Sequence, residues 1–226
     1  MRRTPHYLMT DPEEVRRLIR QHPWGTFVAH TDAGIVASHY PVVLEEPTAD
    51  DPDAISIVSH VGRPDEQALE LDGGQEILLI VQGPHGYVSP GWYPEGDVIP
   101  TWNHVTAHLW GVPEVLGPEE NYGVLEDLVD RFEARMPEPR ALRLDEEGTR
   151  RVAKGTVGLP LRVTRFDARA KLSQNRPPEV RERIMAELRV DGPYSSPALA
   201  GEMARVGSAP VRGEGEDPEH EPRSAR

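Results

Sequence analysis

Between Thr26 and Phe166 the apolar residues fall into short runs with turn-forming residues between them, and this spacing restricts the fold more than any other feature. Segments 26–30 and 35–44 flank Thr31-Asp32-Ala33-Gly34, a hairpin-like turn. Segments 55–59, 77–82, 85–89, 104–116 and 156–166 continue the series. Segment 77–82 is nearly all apolar and reads as a central strand. In 156–166, Val157, Leu159, Leu161 and Val163 alternate, as on a strand with one buried face. Several short strands at this spacing predict a barrel or a sandwich.

Helical patterns flank the strands. Thr10 reads as an N-cap, with Glu13 completing a capping box and Pro12 in the first turn; Val15, Leu18 and Ile19 then share one face. A short helix is expected over 63–71. Further helices are expected over 118–135 and 179–188, with shorter ones over 145–153 and 197–206. The reading is a single domain over 1–206 with C-terminal helices. Residues 207–226, rich in Gly, Pro, Arg and acids, are expected to be a disordered acidic tail.

Composition removes several function classes. The 226 residues carry a formal charge of −13, so no basic face replaces the counterions of duplex DNA, and unaided nucleic-acid binding is not expected. With no cysteine there is no disulfide, thiolate nucleophile, iron–sulfur cluster or cysteine-held zinc. No window is long and apolar enough for a membrane span, and the N-terminal residues lack a signal-peptide core, so the expected location is cytoplasmic. No nucleophile elbow and no Gly-x-Gly-x-x-Gly after a strand is present.

The chemistry concentrates in a few stretches. Gly83-Pro84-His85-Gly86-Tyr87-Val88-Ser89-Pro90-Gly91-Trp92-Tyr93 is followed by Pro100-Thr101-Trp102-Asn103-His104. Rings and prolines offer flat faces to a planar cofactor, and a few polar groups can hold its edges. Ser59-His60-Val61-Gly62-Arg63 offers a hydroxyl, a glycine and a cation to a phosphate, although an ordinary strand-to-helix loop would read the same way. Ser38-His39 is either part of a solvated face or part of a barrel mouth. Lys171-Leu172-Ser173-Gln174-Asn175-Arg176 is either a solvated loop or a lid over a phosphate or ring edge. His104 and His108 on a strand lie about 13 Å apart, too far to share a metal ion. No metal site is expected, although one histidine could still ligate a haem iron.

These motifs together resemble the PaiB family, labelled FMN-binding negative transcriptional regulators, over about residues 7–188. The resemblance implies a mainly β (α+β) fold, a six-stranded antiparallel split barrel with peripheral helices, similar to pyridoxamine phosphate oxidases. It implies a homodimer with FMN at the interface. By this likeness Ser59, His60, Val61 and Arg63 lie near the FMN phosphate, and Ser38 and His39 line the flavin site. Thr101, Trp102 and Asn103 contact the flavin or ribityl chain, while Lys171, Gln174 and Asn175 close the site. Many relatives read Ala-Asn-Pro after Arg63. Here Pro64-Asp65-Glu66 stands there, placing two acids beside the expected phosphate unless they point away. The family resembles haem-binding members too, including piperazate synthase, so haem is the alternative cofactor. The implied functions are a flavin-dependent oxidoreductase, a haem enzyme, or a regulator acting through a partner.

Overall fold

A computed structural model describes residues 4–94 and 99–207. Eight strands form one sheet: β1 (Leu8–Met9), β2 (Trp24–Thr31), β3 (Gly34–Glu45), β4 (Ser56–Gly62), β5 (Ile77–Val88), β6 (Thr101–Gly111), β7 (Thr156–Arg162) and β8 (Arg165–Lys171). Their order is β1-β8-β6-β5-β2-β3-β4-β7, and every pairing is antiparallel. Six helices accompany them: α1 (Pro12–Gln21), α2 (Arg63–Ala68), α3 (Pro118–Glu133), α4 (Glu146–Ala153), α5 (Pro178–Arg189) and α6 (Pro197–Gly207).

The way the sheet closes gives the barrel its split. β6 pairs with β8 along one edge, and just beyond Gly111 the chain continues onto β7 instead. There the Glu114 amide donates to the Pro160 carbonyl at 3.0 Å and the Leu116 amide to the Gly158 carbonyl at 3.1 Å. Strands β6, β5, β2, β3, β4 and β7 thus make a six-membered ring, and β8 and β1 extend from the open edge. Gly111 stands at the crossing: a Cβ there would lie 2.3 Å from the Arg162 carbonyl oxygen, so a side chain would force the strands apart.

Three local expectations are corrected. Segments 77–82 and 85–89 are one strand, β5, with an irregular register between Gln82 and His85. Pro84 lacks an N–H for the ladder, and the strand bulges around it. Segment 156–166 is two strands, β7 and β8, because the chain turns at Val163-Thr164, where both the Thr164 amide and hydroxyl donate to the Trp110 carbonyl. The N-cap of α1 is Asp11, whose carboxylate accepts from the Glu13 amide at 2.9 Å. Pro12 fixes the first helical position, leaving Thr10 one residue too early.

Alternation along the strands separates two faces. Phe27, Ile57, Leu79, Leu109, Leu159 and Leu161 point inward and are fully buried. Leu18 and Ile19 of α1, Ile184 and Leu188 of α5, and Leu199 and Met203 of α6 join the same core. Each such side chain contributes about 1.5–3 kcal/mol through burial. α3 covers part of the outer side, packing Leu128 on Val43 and Val58. The outer positions of β2, β3, β5 and β6 are only partly covered, with Trp24 at 60% and Ile35 at 79% exposure. Among the described residues no helix is long and apolar enough to cross a membrane. The tail expected over 207–226 falls outside the described residues, except Gly207, which ends α6.

Candidate functional site

The open sheet face gathers aromatic and basic side chains. On β6, Asn103, Val105, Ala107 and Leu109 are buried, so Trp102, His104, Thr106 and His108 project to the other side. The register sets His104 between His85 of β5 and Lys171 of β8, Trp102 beside Tyr87, and Thr106 beside Arg169. Trp102 is 52% exposed. Its ring stacks on His85 at 5.9 Å between centroids, and its indole N–H donates to His85 Nδ1 at 3.3 Å. Tyr87 contacts Tyr194 at 4.9 Å. His39, on the outer side of β3, is exposed.

The polar groups on this face meet few counter-charges. The Lys171 ammonium donates to the Thr101 hydroxyl, and His104 Nδ1 lies 3.3 Å from the Thr106 hydroxyl oxygen. Arg169 sits over the Tyr7 ring at 5.8 Å, and its Nε is buried without a hydrogen-bond partner. Burial, reinforced by Arg169, lowers the Lys171 pKa. Burial, and then the charges of Arg169, Lys171 and His85, lowers that of His104. Both shifts favour the uncharged forms in a site already holding the Arg169 charge.

The other predicted residues separate. Ser38 and Tyr40 lie on the β3 face opposite His39, and both hydroxyls donate to Asp65 of α2, the Tyr40 bond being 2.6 Å. These bonds hold the Asp65 carboxyl below its usual range. Asp65 therefore points away from Arg63, whereas Glu66 pairs with the Arg63 guanidinium at 3.2 Å. Arg63 Nε donates to the Lys154 carbonyl. Its side chain lines a cavity of about 500 Å³ together with Arg150, Arg151, Lys154, Glu119 and Glu147, Arg150 being paired with Glu119 at 2.9 Å.

Ser59, His60 and Val61 are consecutive on β4 and so cannot share a face. Ser59 and Val61 are fully buried, and the Ser59 hydroxyl donates to the Pro41 carbonyl at 2.7 Å. His60 points the other way, into a cavity of about 530 Å³ lined by Leu125, Leu128, Val129 and Val152 under α3 and α4. Its Nδ1 is buried without a partner, and burial lowers its pKa.

Asn103 also turns inward. It is fully buried, exchanging hydrogen bonds with the Ser173 hydroxyl at 2.9 and 3.2 Å and lying 3.6 Å from Met203 Sδ. Ser173 has φ = 59°, and the Asn103 contacts help hold this left-handed turn after β8. Gln174 folds back on its own loop: it donates to the Ala170 carbonyl and accepts from the Leu172 amide. Asn175 is exposed. The structure therefore brings Thr101, Trp102 and Lys171 together and sends Ser59, Val61 and Asn103 into the core. Sequence reasoning missed Arg169 and the pairing of His85 with His104. Arg169 had a signal, since it lies two residues before Lys171 on a strand and shares its face. The histidine pairing had none, because it depends on the β5 bulge.

A family model described as "Putative FMN-binding domain" matches residues 1–165. The chain is 27% identical over 172 residues to Protease synthase and sporulation protein PAI 2 of Bacillus subtilis, covering 76% of this chain and 81% of the relative. Its fold is similar to that of an FAD and heme binding protein from Mycobacterium smegmatis, with TM-score 0.56, 21% identity and 80% of each chain covered. It is similar as well to the flavocytochrome Anf3 from Azotobacter vinelandii, with TM-score 0.54, 15% identity, and 100% of this chain and 89% of that one covered.

Proposed function

The chain belongs to the PaiB-type family of FMN-binding domains, and from that premise we propose that it is a cytoplasmic flavin-dependent oxidoreductase. Two copies meet through the open sheet face and hold FMN between them. The observation that carries this reading is that face: exposed Trp24 of β2, Ile35 of β3 and Trp102 of β6 lie on the same sheet as His104 of β6 and Lys171 of β8. Apolar area of this kind favours a second copy of the same face. Trp102 offers a flat surface to the ring system, while Thr101 and the exposed His39 offer polar contacts at its edges. For Arg63 to meet the phosphate it would exchange Glu66 for it, with Arg151 and Lys154, which form no ion pair among the described residues, lining the same cavity as further cations. Asn103 and Ser59 act from inside the barrel by fixing the strands that carry these groups, and Asn175 reaches toward the facing copy. Bound flavin would supply the electron chemistry.

The test is an absorption spectrum after loading with FMN, riboflavin or haemin and removal of excess, alongside sedimentation. A retained band near ~450 nm on a dimer is expected. Trp102→Ala should lower FMN occupancy, and Ile35→Glu should give a monomer with little flavin. A wild-type protein that retains no flavin, or an Ile35→Glu dimer that retains all of it, overturns the reading.

A second reading rests on His60. A neutral imidazole without a partner, in a largely apolar cavity of about 530 Å³, fits a haem better than it fits a phosphate. A Soret band lost in His60→Ala but kept in His104→Ala would favour it.

A further inference from the structure

Many of the described arginines are matched with a carboxylate: Arg17 pairs with Glu202, Arg20 with Glu13, Arg63 with Glu66, Arg143 with Asp130, Arg162 with Asp51 and Arg165 with Glu76. Others donate to a backbone carbonyl instead, Arg131 to Leu44 and Arg181 to Met203. On the open face two neighbouring cations have neither. Among the described residues neither Arg169 nor Lys171 has an acidic partner, although the chain has 38 acids to 25 basic residues. They project from alternate positions of one strand, with His104 beside Lys171 and Thr106 beside Arg169 in register. Arg169 keeps a buried Nε with nothing to donate to, which is costly relative to a satisfied group. Two cations held together on rigid strands, with a histidine and two hydroxyls beside them and Asp167 on the side of Arg169 away from Lys171, repel one another in the free protein. An oxyanion would relieve that repulsion, and a guanidinium beside an ammonium is a standard donor set for one.

We propose that Arg169, Lys171 and His104 form an oxyanion subsite that binds the carboxylate or phosphate of the substrate next to the flavin face. The substrate class is therefore a small anionic molecule whose apolar or aromatic part lies along Trp102 and Tyr87. This assignment rests on the flavin reading for the word substrate, but not for the subsite itself. Burial and mutual repulsion lower the Lys171 and His104 pKa values, consistent with a site arranged for a negative guest.

The experiment titrates benzoate and inorganic phosphate into full-length FMN-loaded protein, read by tryptophan fluorescence and calorimetry. Wild type should bind at least one probe saturably. Arg169→Gln and Lys171→Met should each weaken it roughly tenfold or more, about 1.4 kcal/mol, while Arg162→Gln, whose partner is Asp51, should not. Circular dichroism checks that each variant is folded. No saturable binding, or equal binding in the variants, overturns the proposal. Lys171→Met lowering affinity for FMN but not riboflavin, with added phosphate displacing FMN, also overturns it, because the cations then serve the cofactor's own phosphate. If no flavin binds but the probes still bind through Arg169 and Lys171, the subsite stands and the flavin reading fails.

Discussion

The chain gathers basic side chains in two places, and they differ in what the charges meet. In the cavity beside α4, Arg63 and Arg150 are engaged by Glu66, Glu119 and Glu146, and Arg150 also covers the Tyr122 ring at 4.1 Å. On the open sheet face, Arg169 and Lys171 form no ion pair among the described residues, although Asp167 shares their face of β8, and they contact a ring and a hydroxyl. Arg63 and Arg150 are satisfied by the protein itself, while Arg151 and Lys154 line the same cavity without an ion pair among the described residues. Charge count alone would have ranked the cavity first, with four cations. Partner count brings the two places level, because a charge already paired has less to offer a ligand; what sets the open face apart is the buried, unpartnered Nε of Arg169.

The inward-facing neighbours of the open face should show the largest effect. Asn103→Ala removes both bonds to Ser173 and leaves a hole under α6. It should cost about 2–3 kcal/mol, seen as a lower urea midpoint, and should loosen the Lys171 turn enough to reduce flavin retention. Unchanged stability would mean that the inner and outer faces of β6 are not coupled.

Acid comes next, because several histidines act together. His22, His60, His104 and His108 all have pKa values lowered by burial. Below the ordinary value of 6.5 the unfolded chain takes up protons before the folded one. Stability therefore falls as pH drops through 6.5 toward the lowered values. Melting temperature should be level above pH 7 and decline below 6.5. Phosphate should offset the part due to His104 but not the part due to His60. A flat profile would remove the burial argument for both.

The two cation groups are separated most directly by single deletions. Arg63→Ala loses the bond to the Lys154 carbonyl and the Glu66 pair and should cost about 1 kcal/mol. Lys171→Met loses one hydroxyl contact and relieves repulsion with Arg169. Its stability should change by less than about 0.5 kcal/mol, in either direction. If Lys171→Met destabilised more than Arg63→Ala, the contrast between a satisfied and an unsatisfied group would collapse.

Much of the architecture was legible in the residues. Period-two runs marked β2, β3, β4 and β7, and proline and capping signals marked α1 and α3 to within a residue or two. The family motifs covered the whole barrel. What failed to read correctly was local continuity: the β5 bulge at Pro84 looked like a strand break, and the turn at Val163-Thr164 looked like strand. At the candidate site the same alternation that marks the strands separates residues that stand together in the motifs. Ser59 and His60, or Trp102 and Asn103, are adjacent in sequence and therefore point to opposite faces. Grouping them as one contact set follows the order of the chain rather than the geometry of the strand.

By itself the sequence determined the acidic charge, the absence of thiol chemistry, the strand and helix content and the family, because each depends on composition or on short-range pattern. Only the tertiary structure decided which cations remain without a partner, that His60 and Arg63 face cavities flanking α4, and that Arg169 joins Lys171 and His104. Those facts depend on strand register and on which acids come within reach of which bases. Both arise from pairings between segments far apart in the chain, Arg165 with Glu76 at 89 residues and Arg17 with Glu202 at 185, and no local pattern encodes them.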